Sequence, residues 1–231
     1  MTHNDTTTLT KSSLTGAHRL VLICAPSHDD LTEYTSKLVE NLPDLGPPAV
    51  LRKIESPLTY DQLLSQLALD REATEVALVF CGHGDPSALL GPAKHPGAPG
   101  YSETLAPFYD ETHLPLGPGH MLAFCCSAAA GLGASFEREA PGGTFIGFKD
   151  DIPFLTEGGS YAECYRGIIH GLASALLNVS DRGRLEHVAD NIYEQALASF
   201  PPEKDGTVHD WGLMMRGGLL QQWADLKVIV R

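Results

Sequence analysis

His83 and Cys126 stand 43 residues apart, each at the end of a short apolar run, EVALVFCGHGD (Glu75–Asp85) and HMLAFCCSAAAGLG (His120–Gly133). An imidazole and a thiol make a nucleophilic pair: sulfur attacks as thiolate, and a neighbouring imidazole takes its proton or steadies the anion. Both runs have the length and composition of buried strands. Consecutive strands of one parallel sheet are usually neighbours and lie roughly 5 Å apart, so their tips can bring ring and sulfur within reach. Cys126 opens SAAAGLGASF, a helix start whose positive end favours the thiolate. Gly84 sets a bare backbone N–H beside the ring, and with the N–H of Cys126 it would form an oxyanion hole. Ser127 to Ala130 are small and leave room for a peptide backbone. Cys125 is the alternative nucleophile; a turn position exposes Cys126, while Phe124 and Cys125 fill the last places of the strand.

Three carboxylates, Asp85, Asp150 and Asp151, fall on the expected rim loops. Together they would floor a negative slot for an Arg or Lys side chain of a substrate. Lys149 is the nearby base that opposes this reading. Cys24 ends the first apolar run and so also sits at the rim. Cys81 and Cys164 lie inside apolar stretches and read as small buried hydrophobes. The 10 histidines include no HExxH pattern, and no CxxC pair is present, so neither a metal nor another cofactor is expected. A P-loop and a GxSxG elbow are likewise missing.

The elements that must position these groups follow a rhythm. Strands are expected at Arg19–Pro26, Pro47–Ser56, Glu75–Asp85, from His120, at Gly142–Phe148 and at Leu226–Val230. Helices are expected at Asp29–Leu42, Thr59–Asp70, Ser160–Asn178 and Arg184–Phe200, with Glu103–Leu114 as the crossover helix between the two reactive strands. Strands alternating with helices predict an α/β fold with a mainly parallel central sheet flanked by helices. Continuous apolar strands require a sheet covered on both faces. The Gly/Pro-rich segment Pro86–Gly100 breaks the rhythm and predicts a loop or hairpin at the same rim. Residues 1–17 read as a flexible polar leader and 18–231 as a single domain.

With 16 basic and 29 acidic residues the net charge is −13. That balance argues against nucleic acid or anionic lipid as a direct partner. No apolar run reaches the length of a membrane span, and the leader lacks the apolar core of a signal peptide. Five irregularly spaced cysteines read as reduced thiols rather than a disulfide framework, which suits a cytoplasmic protein.

At these residues the chain resembles the caspase-like (clan CD) cysteine peptidases. FCGHGD (Phe80–Asp85) is similar to their histidine block, and LAFCCSAAAGLG (Leu122–Gly133) to their cysteine block, most like the bacterial CHAT group. GGTFIGFKDD (Gly142–Asp151) resembles the next CHAT strand and its acidic loop, with Phe148-Lys149 where that loop commonly carries a Trp. Motif register favours Cys126 over Cys125. The resemblance covers roughly Arg19 to Phe200 and leaves Trp211–Trp223 without a counterpart. It implies the three-layer caspase–haemoglobinase fold and endopeptidase activity on a protein or peptide substrate through a His83/Cys126 dyad. It also implies a role in bacterial defence or signalling and a separate activating partner protein, with Pro86–Gly100 as the mobile loop. The first strand's tip, Cys24-Ala25-Pro26-Ser27, lacks the Arg that caspases use to hold an aspartate, so cleavage after a basic residue is expected instead. Two other classes fit the same layout: a caspase-like interaction module with a vestigial dyad, and another α/β enzyme doing hydrolase or amidotransferase chemistry on a small molecule.

Overall fold

The computed structural model describes residues 19–24, 29–40, 42–43, 45, 49–54, 75–92, 105–116, 119–140, 142–154, 159–200 and 210–231. The leader, the expected helix Thr59–Asp70 and residues 93–100 lie outside the described residues. In chain order the strands are β1 (Arg19–Cys24), β2 (Ala49–Ile54), β3 (Glu75–Cys81), β4 (His83–Gly84), β5 (Ala88–Pro92), β6 (Leu105–Asp110), β7 (His120–Phe124), β8 (Thr144–Phe148) and β9 (Leu226–Val230). The helices are α1 (Asp30–Glu40), α2 (Leu132–Glu139), α3 (Gly159–Asn178), α4 (Arg182–Ala198) and α5 (Asp210–Asp225), with a 3-10 helix at Glu111–Leu116.

Among the described residues six strands form the main sheet, in the order β2-β1-β3-β7-β8-β9. All neighbours pair in parallel except β8 and β9, which run antiparallel. The apolar strands divide their side chains by parity, as a sheet sandwiched between two layers demands. From β3, Ala77, Val79 and Cys81 face one core, and Leu78 and Phe80 face the other. From β7, Leu122 and Phe124 face the first core, and Met121 and Ala123 the second. The first core is closed by α1, α3, α4 and α5, through residues such as Leu38, Ile169, Leu185 and Leu219. The second is closed by Leu132 and Phe136 of α2, Leu114 of the 3-10 helix and the small sheet's Leu89 and Tyr109. This is the expected three-layer α/β architecture with a mainly parallel sheet.

One expectation is overturned. Glu103–Leu114 is not a crossover helix: its described part is β6 followed by the 3-10 helix. β6 joins β4 and β5 in a three-stranded antiparallel sheet. Pro107 explains the difference. It would remove a helical hydrogen bond and clash with the preceding turn, but a sheet-edge strand tolerates it, and β6 is at the edge. The described part of Pro86–Gly100 supplies β5, which pairs antiparallel with β4 in a hairpin that includes His83 itself.

Trp211–Trp223, unassigned by the sequence, lies in α5. The indole N–H of Trp223 donates to Asp190 Oδ1 of α4 at 2.7 Å, and its ring stacks on Tyr193 at a centroid distance of 6.3 Å. α5 then delivers the chain into β9 at the sheet edge.

Candidate active site

The site is assembled by register. β3 and β7 pair in parallel with Cys81 opposite Phe124, so His83 and Cys126 each follow a paired residue by two positions. Side chains two apart share a sheet face. Cys126 packs with Leu122 and Phe124 against the first core, whereas His83 has left the main sheet and opens β4 of the small sheet. Cys126 is half-buried against the first core. Cys125 has the opposite parity: it lies in the second core, fully buried, with burial pushing its thiol far above the usual range. Of the two adjacent cysteines, Cys126 is the one on the first-core side, which α1 also covers.

His83 is gripped from α1. Its Nε2 lies 2.6 Å from Oδ2 of Asp29. Asp29 caps α1: its Oδ1 accepts from the backbone N–H of Thr32 at 2.8 Å and from the Thr32 hydroxyl at 2.7 Å. Its carbonyl takes the first helical hydrogen bond, from Glu33 N–H. Burial alone would raise the Asp29 carboxyl, but the Thr32 donors and His83 outweigh it and hold the group down at about 2.

Cys126 sits on a constrained turn. Ser127 has a positive φ of 54°, a conformation few residues other than glycine adopt, and a feature of turns that present a side chain at a rim. Its N–H donates to the Asp150 carbonyl at 3.1 Å, and its hydroxyl to Asp151 Oδ1 at 3.0 Å. The acidic loop is held from below by Phe154, packed 5.5 Å from the Phe124 ring. It is held from the side by α5, where Gln221 donates to the Asp151 carbonyl at 3.1 Å and buried Gln222 to the Pro153 carbonyl at 2.7 Å.

Burial pushes the Cys126 thiol up, a hydrogen bond from the Ile152 backbone pulls it down, and the Asp151 and Asp150 carboxylates push it up further. Removing one carboxylate favours the thiolate. Asp151→Asn is therefore expected to move the pH midpoint of Cys126 alkylation by iodoacetamide downwards; a midpoint that stays or rises contradicts the placement of this carboxylate.

The other sequence-derived residues separate. Gly84 packs against the two cysteines: a Cβ there would meet Cys125 Sγ at 2.5 Å and the Cys126 carbonyl oxygen at 2.7 Å. Asp85 is engaged in the β4–β5 turn, where its Oδ1 accepts from the Ser87 N–H and hydroxyl and from the Ala88 N–H. Asp150 and Asp151 come to Cys126. Lys149 does not join them; it lines a depression with Arg182, Glu186 and Lys227 beside β9. Cys24 ends β1 in the backbone, and its side chain lies outside the described residues. Asp29, Ile152 and the two glutamines of α5 are the contributions that the strand-end pattern leaves out.

No protein-family model matches the chain, and no curated protein matches it. Among solved structures, a secreted C11 cysteine protease from Bacteroides thetaiotaomicron, in complex with an irreversible peptide inhibitor, is similar to it with a TM-score of 0.50 at 14% identity. The fold is caspase-like. The alignment covers 93% of this chain and 66% of the protease, so this chain spans somewhat less than two thirds of that protein's length. In this caspase-like fold His83 and Cys126 follow the carboxyl ends of the adjacent central strands β3 and β7, the rim where open α/β sheets gather their ligands.

Proposed function

We propose that the protein is a caspase-like cysteine endopeptidase that cleaves a protein or peptide after a basic residue, using Cys126 as nucleophile and His83 as acid and base. One observation supports the reading: β3 and β7 are paired neighbours up to Cys81 and Phe124, His83 and Cys126 follow two residues beyond, and Cys126 packs on the first-core side covered by α1, whose cap Asp29 binds His83, while Cys125 lies in the second core. The thiol proton passes to the imidazole, and the thiolate attacks the scissile carbonyl. The N–H groups of Gly84 and Cys126 hold the oxyanion. The imidazolium returns the proton to the departing amine as the C–N bond breaks. Water, deprotonated by the imidazole, then cleaves the thioester and restores the thiol.

Asp150 and Asp151 are proposed to receive the basic side chain, with Asp85 contributing through its free carboxylate oxygen. The same two carboxylates disfavour the thiolate in the resting enzyme. A bound cation would neutralise them, so the right substrate would also activate the nucleophile. The order of the histidine, cysteine and acidic blocks is nearest to the CHAT pattern, and on that ground an activating partner protein in a bacterial defence or signalling system is part of the proposal.

The test is a fluorogenic peptide series varying only the residue before the cleaved bond. Arg and Lys are expected to exceed Leu and Asp by about tenfold or more in kcat/KM, and Asp150→Asn/Asp151→Asn to erase most of that margin, as loss of a charge-assisted contact does. Preferred cleavage after Asp, or no cleavage of any peptide or protein, overturns the reading.

A further inference from the structure

We infer that Asp29 is a positioning residue for His83, fixing the proton on Nε2 so that Nδ1 is the nitrogen that exchanges a proton with Cys126. The inference takes its chemical meaning from the peptidase reading, but its geometry stands apart from it. The two oxygens of Asp29 are divided between two tasks: Oδ1 is bound by the N–H and hydroxyl of Thr32, and Oδ2 faces His83 Nε2 at 2.6 Å. An ionised carboxylate only accepts hydrogen bonds, so the imidazole nitrogen facing it must carry hydrogen. Nδ1 of the neutral ring then holds the lone pair. Asp29 caps α1, which closes the first core, and Cys126 packs against that same core.

In the first step the Cys126 S–H bond breaks and an Nδ1–H bond forms. Nε2–H stays with Asp29, and the imidazolium–thiolate pair is left with its positive end against a fixed negative charge. The leaving amine takes the Nδ1 proton back. Asp29 touches no reacting atom. It selects the tautomer and aims the ring, as the orienting acid of a catalytic triad does. Its anchor is rigid because it also starts α1, whose Thr32 and Thr35 are buried.

The same division makes a clean test. In Asp29→Asn the Thr32 donors hold the amide oxygen at the Oδ1 position, which leaves the NH2 group facing His83. Two N–H groups cannot share that contact, so the ring must move its proton to Nδ1. Asparagine caps a helix about as well as aspartate, so the melting temperature is expected to change little. Nitrogen-15 NMR of the imidazole is expected to show the Nε2–H tautomer in the parent and Nδ1–H in Asp29→Asn. kcat is expected to fall at least about 100-fold with KM nearly unchanged. A parent imidazole already protonated on Nδ1, or an Asp29→Asn protein with parental tautomer and kcat, overturns the inference. If the parent cleaves nothing, the peptidase reading fails by that result, and the NMR comparison still decides between Asp29 and no tautomer control.

Discussion

Cys126→Ala is expected to lower kcat at least about 10⁴-fold, the scale of losing a nucleophile outright, while Cys125→Ala keeps kcat within a few-fold. His83→Ala is expected to fall in the range of about 10²–10⁴, the usual worth of a positioned acid–base group. The contrast between the cysteines follows from parity alone. Cys125 is fully buried in the second core, so its loss leaves a small void and costs about 1 kcal/mol of stability. Cys126 is half-buried at the turn, against the first core. Steady-state kinetics of the three variants, with their melting curves, decide the matter. If Cys125→Ala were inactive and well folded while Cys126→Ala kept its turnover, the nucleophile would lie on the opposite face and the site would have to be redrawn.

Gly84→Ala is expected to lose about 10²–10³ in kcat and about 1–3 kcal/mol in stability. Its methyl group would stand 2.5 Å from Cys125 Sγ and 2.7 Å from the Cys126 carbonyl oxygen. The first is a fully buried side chain and the second is backbone, so the strand tip itself must shift. That shift moves the Gly84 N–H out of the proposed oxyanion position. Adding Cys125→Ala removes only the first of the two clashes. The double variant should regain part of the melting temperature and little of the rate. Parental kcat and melting temperature in Gly84→Ala would contradict the close packing of the tips.

The central sheet and its strand ends were legible because parallel-sheet strands advertise themselves. A run such as VALVFC is apolar at every position only when both faces are covered, and its end marks the functional rim. That places His83 just beyond β3 and Cys126 just beyond β7, where the structure has them. The Asp29–His83 pair was hidden by distance: the partners are 54 residues apart, and Asp29 reads equally well as an ordinary acid at a helix start. Only the packing of α1 beside β3 reveals its second task. Asp85 carried a local signal, since Asp-Pro-Ser is an Asx-turn sequence. β6 was obscured by Leu105, Phe108 and Tyr109, whose spacing imitates a helix, although Pro107 marks the strand. In α5 the adjacent glycines Gly217 and Gly218 weaken helix propensity, and nothing in the sequence ties Gln221 and Gln222 to the acidic loop that they hold.

The central claim is that one thiol is activated by one imidazole across two strand tips. Cys164 provides an internal control: it is half-buried, and burial pushes its thiol up to about 11. The most direct measurement treats the protein with an irreversible peptide electrophile bearing a basic residue and locates the adduct by mass spectrometry, in the parent and in His83→Ala. The account predicts a single adduct on Cys126, formed rapidly in the parent and lost in His83→Ala. Modification of Cys164 or Cys125 at a comparable rate, or labelling of Cys126 that does not depend on His83, would contradict it.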